Sequence, residues 1–174
     1  TILKYPGGKV FDERVLVFEQ IAYACGTTPD GKVNWDCSGG KVGAIEQYGD
    51  QFGPGTWPAS GRYTLINGAV QPMWPATTGK IQRWRMIHGG VRDTVLMKIV
   101  KAKPQLLQLG TLRRMSLAAQ ANWVSNNCLA DQPVTVWEFG VDGLTRRAFS
   151  EKSVNTFQPG YRSDVLAFFT QPGT

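Results

Sequence analysis

The feature that most constrains this chain is a two-residue period between Lys80 and His88. Ile81, Arg83, Arg85 and Ile87 fall on one face, and Gln82, Trp84, Met86 and His88 on the other. A helix would gather its apolar residues at three- and four-residue spacing, so alternation of this kind is a strand period. Gly89-Gly90 interrupts it. Thr94–Val100 then alternates again, with Val95, Met97 and Ile99 on a shared face. Upstream, Asn67-Gly68 is the dipeptide most favoured in two-residue hairpin turns. Arg62–Val100 is therefore expected to be a block of strands, the last two joined through the Gly-Gly turn.

The remaining chain follows the same grammar. Arg14–Ala24 carries Val15, Val17, Ile21 and Tyr23 and is expected to be a strand. So are Val134–Phe139, Val154–Phe157 and Ser163–Phe169, with turns at Asp142-Gly143 and Pro159-Gly160. One segment breaks the pattern. Ser116 precedes Leu117-Ala118-Ala119-Gln120, good helix formers behind a good cap, so a short helix is expected over 116–126. Many short strands, Gly/Pro punctuation and one helical insertion imply an all-β, Greek-key sandwich or barrel. Its 174 residues are expected to form a single domain, 1–174, with 1–10 as a lead-in linker around Pro6-Gly7-Gly8. The chain reads as a mature fragment or a piece of a larger multidomain chain.

Cysteine usage bears on compartment. Cys25 and Cys37 flank a Gly- and Asp-containing segment at the start of a long aperiodic stretch, 25–58. With one histidine and no CxxC pair, zinc is a poor reading, and a Cys25–Cys37 disulfide a better one. Such a bridge would place the protein in an oxidising compartment, secreted or periplasmic. In the chain-entropy picture it contributes about 3 kcal/mol. Cys128 is left over, either free or paired outside this chain.

The catalytic inventory is thin. A Ser-His-Asp or Cys-His site would have to use His88, which has no nucleophile elbow for company. The Gly-rich runs lack a phosphate-loop setting. The acidic residues Asp12, Glu13, Glu138, Asp142 and Asp164 are scattered along the sequence. Net charge is +6, but with basic residues dispersed rather than clustered it implies no nucleic-acid partner. No apolar run is long enough to span a membrane. Two arginines among isoleucines, Arg83 and Arg85, suggest a partly covered face with paired carboxylates. Arg92-Asp93 is expected to brace the Gly-Gly turn by a local ion pair. No catalytic, cofactor or metal residue is assigned; Arg83, Arg85, His88, Arg92 and Asp93 are structural or inter-domain candidates.

Four strings in order then resemble one family: SGRYTLINGAVQP, GKIQRWRMIHGGVRDTVLMKIV, FGVDGLTRRAF and FQPGYRSDVLAFF. Together they resemble the middle, plastocyanin-like (cupredoxin) domain of three-domain, laccase-like multicopper oxidases. The matching residues are Asn67-Gly68 with Pro72, then Gly79, Arg83-Trp84-Arg85, Ile87-His88, Gly90 and Arg92-Asp93-Thr94. Asp142-Gly143-Leu144, Pro159-Gly160-Tyr161-Arg162 and Asp164-Val165-Leu166 complete the set. The resemblance implies a cupredoxin-like sandwich and a copper-free spacer, with copper held in other domains of the parent. Its partners would be neighbouring cupredoxin domains of the same chain. A blue-copper site needs two histidines, a cysteine and usually a methionine, which one histidine cannot supply. Met73, Met86, Met97 and Met115 are expected as core filler. The competing reading is a stand-alone ligand-binding module that stacks its ligand on loop aromatics Trp35, Tyr48 and Trp57.

Overall fold

The computed structural model describes residues 8, 10–21, 24–34, 43–44, 57, 63–70, 72–103 and 114–171. Its strands are β1 (Asp12–Glu19), β2 (Leu65–Ile66), β3 (Ile81–His88), β4 (Val95–Met97) and β5 (Val100–Ala102). A helix, α1 (Leu117–Asn127), follows, then β6 (Cys128–Pro133), β7 (Val136–Val141), β8 (Leu144–Lys152), β9 (Asn155–Phe157) and β10 (Arg162–Phe168). Six strands form one open sheet in the order β2-β1-β3-β10-β7-β8. Two short ladders, β4-β9 and β5-β6, supply the rest. The architecture is a β-sandwich with a short helix, and its main sheet does not close into a barrel.

The alternation of β3 survives intact. Gln82, Trp84, Met86 and His88 are buried, while Ile81, Arg83, Arg85 and Ile87 are less so. The same inner face collects Leu16 and Phe18 from β1, Val165 and Ala167 from β10 and Val136 from β7. Phe157 of β9 closes this core from the opposing layer, with Val95 and Met97 of β4 packed beside it. Its ring is fully buried between Phe18, 5.3 Å away, and Tyr161, 5.8 Å away. Trp84 makes a second aromatic cluster with Trp74 and Phe169. Of the methionines, Met86 and Met97 do fill the core.

The turns form as their residues dictate. Asn67 and Gly68 have φ of 53° and 74°, and Asp142 and Gly143 of 50° and 85°, the positive pairs that two-residue hairpins of type I′ demand. Asn67 does more than turn. Its Oδ1 accepts from Val17 N–H at 2.8 Å, and its Nδ2 donates to Val15 C=O at 2.9 Å. The side chain thus continues the ladder along β1.

The helix starts where expected. Ser116 Oγ accepts from Ala119 N–H at 3.3 Å. At the other end Asn127 runs directly into β6, and the Lys103 ammonium donates to Asn126 C=O at 2.9 Å, where a cation complements the helix dipole.

Two expectations need correction, and one strand was not foreseen. The first strand ends at Glu19 rather than reaching Ala24, and its buried residues are Leu16 and Phe18. Gly89-Gly90 does not join a hairpin. It carries the chain out of the main sheet, because β3 pairs with β1 and β10 whereas β4 pairs with β9. Close approach explains the glycines: a Cβ on Gly89 would lie 2.8 Å from Val17 Cγ1, and one on Gly90 3.1 Å from Gln20 N. Lastly, β8 is an edge strand that the sequence did not announce, since most of its residues are exposed on both faces.

Because Phe157 ties the two layers, Phe157→Ala should destabilise the chain by about 3–5 kcal/mol. Urea unfolding followed by circular dichroism measures this, with the slope unchanged if the native state is otherwise kept.

Candidate inter-domain face and its supports

Arg83 and Arg85 lie on the outer face of β3, where register sets their partners. Glu13 of β1 sits beside Arg83, and Asp164 of β10 opposite Arg85. Arg83 bridges both acids, at 3.1 Å to Glu13 and 2.7 Å to Asp164. Arg85 reaches the same two at 3.4 and 3.8 Å. Two arginines and two carboxylates thus form one neutral lattice across three strands. The carboxylates come from this chain itself. Arg83 is the more covered arginine, and its guanidinium also stands 5.5 Å from the centre of the Phe139 ring. Acids far apart in sequence, Glu13 and Asp164, are thereby brought together, but through arginines rather than as a bare catalytic pair.

Beside this lattice the outer face turns apolar. Ile81, Trp137, Phe149, Leu166 and Phe168 line an open concavity of about 310 Å³. Phe149 is 58% exposed, an unusual position for a phenylalanine on a strand.

His88 is 1% exposed and points the other way. Its Nδ1 accepts from Gly90 N–H at 3.1 Å, so Nε2 carries the proton and donates to Asp93 C=O at 2.9 Å. The main chain of His88 bonds Tyr161 C=O and Gly160 N–H. Both ring nitrogens are therefore committed to holding the crossover after β3. The Asp93 carboxylate accepts from Trp57 N–H at 2.6 Å, and Arg92 lies 5.7 Å from the Trp57 ring centre. Asp93 and Arg92 thus both engage the distant Trp57.

A buried carboxylate that sequence reasoning left among scattered acids is Glu138 on β7, 2% exposed. It accepts from Arg146 and from Ser163 Oγ at 2.9 Å, with Tyr161 Oη at 3.4 Å and Lys152 Nζ at 4.0 Å. Burial, then the negative charge of Glu138 and that of Asp142, pushes the Tyr161 phenol above its ordinary value of 10.0.

The donor set does not suit a copper centre. The lone histidine has both nitrogens engaged, and among the described residues no three His, Cys, Asp or Glu side chains gather to hold a metal. Cys128 is a half-buried free thiol. Cys25 is a bonded cysteine, while Cys37 lies outside the described residues. Trp35 and Tyr48 also lie outside them. Trp57, the third aromatic of the stacking hypothesis, is 5% exposed and donates its Nε1–H to Thr64 Oγ1 at 3.0 Å, so it packs rather than offers a platform.

No family model matches the chain, and no curated protein matches it. Among solved structures it is similar to the McoA multicopper oxidase of the hyperthermophile Aquifex aeolicus, with 16% identity and a TM-score of 0.51. That likeness covers 92% of this chain and 24% of the oxidase. A multicopper oxidase from Pediococcus acidilactici is similar over 94% of this chain and 24% of its own, with 16% identity and a TM-score of 0.47. At such identities the likeness to McoA is one of fold, a cupredoxin-like sandwich. The chain spans about a quarter of the length of these proteins.

The raised Tyr161 pKa sets a pH dependence. The folded chain favours the neutral phenol, so this stabilising contribution is complete below pH 10 and is lost as pH rises towards the folded pKa. Unfolding free energy should fall above about pH 10, and Tyr161→Phe should flatten that fall. Urea titrations from neutral to alkaline pH give both slopes.

Proposed function

We propose that this chain is the middle cupredoxin-like domain of a three-domain multicopper oxidase, a copper-free spacer between domains that hold the metal. The observation that carries the proposal is the fold likeness to McoA, nearly complete for this chain and about a quarter of the oxidase. The four sequence motifs add to it because they meet in space. The Arg83-Trp84-Arg85 strand is the antiparallel neighbour of the Arg162–Phe168 strand, and Asn67 bonds the strand on its other side. The parent enzyme, in this reading, oxidises phenol-like or metal-ion substrates and reduces dioxygen to water, and the chain alone turns over neither.

Its partners are the neighbouring cupredoxin domains of the same chain, not a membrane or nucleic acid. Among the described residues no helix is long and apolar enough to cross a membrane. The outer face of the main sheet is the surface offered to a neighbour, with the apolar patch around Phe149 and Trp137 as its centre and the Arg83–Glu13–Arg85–Asp164 lattice as its polar border. Buried apolar centre and satisfied polar rim is the usual anatomy of such contacts. Secretion or periplasmic export accompanies a Cys25–Cys37 bridge.

The direct test incubates the isolated chain with copper(II) and a phenolic dye. No copper-dependent oxidation is expected, and turnover by the chain alone would overturn the assignment. Parent sequence that lacks His-X-His segments on both sides would do the same.

For the surface, Phe149→Glu should shift the stability of the isolated chain by no more than about 1 kcal/mol. In the parent enzyme the same change should lower the thermal midpoint clearly. Calorimetry on the two forms separates an inter-domain contact from a merely exposed ring.

A further inference from the structure

The two rims of the main sheet differ. β2, at one end, is two residues long, whereas β8, at the other, runs for nine. β8 pairs with β7 on one side, and among the described residues nothing meets its backbone on the far side. It contains neither proline nor glycine. An edge of this length is a template for a further strand.

The charges of β8 divide between its faces. Arg146 and Lys152 reach the buried carboxylate of Glu138, and Ser150 lies opposite Glu138 in the ladder. Phe149 lines the outer concavity, and Glu151 lies opposite Trp137, which lines it too. Two-residue alternation puts Arg147 on this outer face with them. Arg147 and Glu151 are exposed, and neither side chain has an ion pair or hydrogen bond among the described residues. The inner charges are thus satisfied within the chain, and the outer two, of opposite sign, are not. They stand equally far on either side of Phe149, itself 58% exposed.

We propose that β8 is completed by β8 of a second copy of this chain, antiparallel about a twofold axis at Phe149. In that register Arg147 stands opposite Glu151 of the partner subunit, and Glu151 opposite the partner's Arg147. Phe149 meets the partner's Phe149 between these two ion pairs, at the spacing where directly opposed side chains touch. Symmetric registers one residue away lose this match. Centring on Ala148 sets Arg147 against Phe149, and centring on Arg147 sets two guanidinium groups face to face. Arg146 and Lys152 also come opposite one another, but each stays turned to the Glu138 of its own copy. Pairing closes at two copies, because the rim left free on each is the two-residue β2. The inference rests on this edge alone and not on the domain assignment.

Sedimentation equilibrium of the 174-residue chain, from micromolar to near-millimolar concentration, tests this. A monomer–dimer equilibrium is expected. Arg147→Glu and Glu151→Arg should each raise the dissociation constant at least about tenfold, since each sets like charges opposite one another twice. Both residues are exposed, so circular dichroism should show each variant folded as the parent chain is. Mixed in equal amounts, the two variants should pair with each other, because every opposed charge is then again of opposite sign. Hydrogen exchange should slow on dimerisation at the β8 amides directed away from β7. A chain that stays monomeric throughout, a dimer indifferent to Arg147→Glu, or a mixture of variants that stays monomeric would overturn the proposal. A dimer whose slowed amides lie outside β8 would do so too.

Discussion

Strand β3 has a neighbour on each side, and its two faces carry unlike chemistry. Backbone hydrogen bonds tie it in parallel to β1 and antiparallel to β10. Trp84 and Met86 then enter the apolar core, while Arg83 and Arg85 are delivered to Glu13 and Asp164 outside. Register couples these outcomes. A slip by one residue would place two guanidinium groups in the core and Trp84 in water. The arginine lattice therefore matters more for specifying the pairing than for strength, since half-exposed ion pairs contribute little individually.

The crossover after β3 depends on the same strand. His88 ends it with both ring nitrogens bonded, Gly89 and Gly90 let the backbone pass close over Val17 and Gln20, and Asp93 reaches Trp57. Removing His88 would release donor and acceptor together in a site sealed from solvent. A histidine in that position reads as catalytic only in isolation. Its neighbours make it a structural joint.

What the sequence revealed was local. The period of β3, the two Gly-containing hairpin turns and the Ser116 cap are set by residues within one turn or strand, and each forms as expected. What it hid was pairing. Nothing near Asp12 says that the strand beginning there will lie parallel to β3, seventy residues on. The polar face pattern of β8 gives no period because that strand sits at a sheet edge with both faces wet. Glu138 looked like any surface acid, and only the fold surrounds it with Arg146, Ser163 and Tyr161.

The strand order has a consequence for how the chain is made. β10, the last strand in sequence, is not an edge but the bridge between β3 and β7. As the polypeptide emerges during synthesis, β1-β3 and β7-β8 can form as separate halves, yet neither is complete until residues 162–168 arrive. Until then β3 and β7 each offer an unpaired rim to any strand nearby, the circumstance in which half-made β proteins associate wrongly. Assembly of this fold thus waits on residues 162–168, is dominated by distant contacts and is slow by nature.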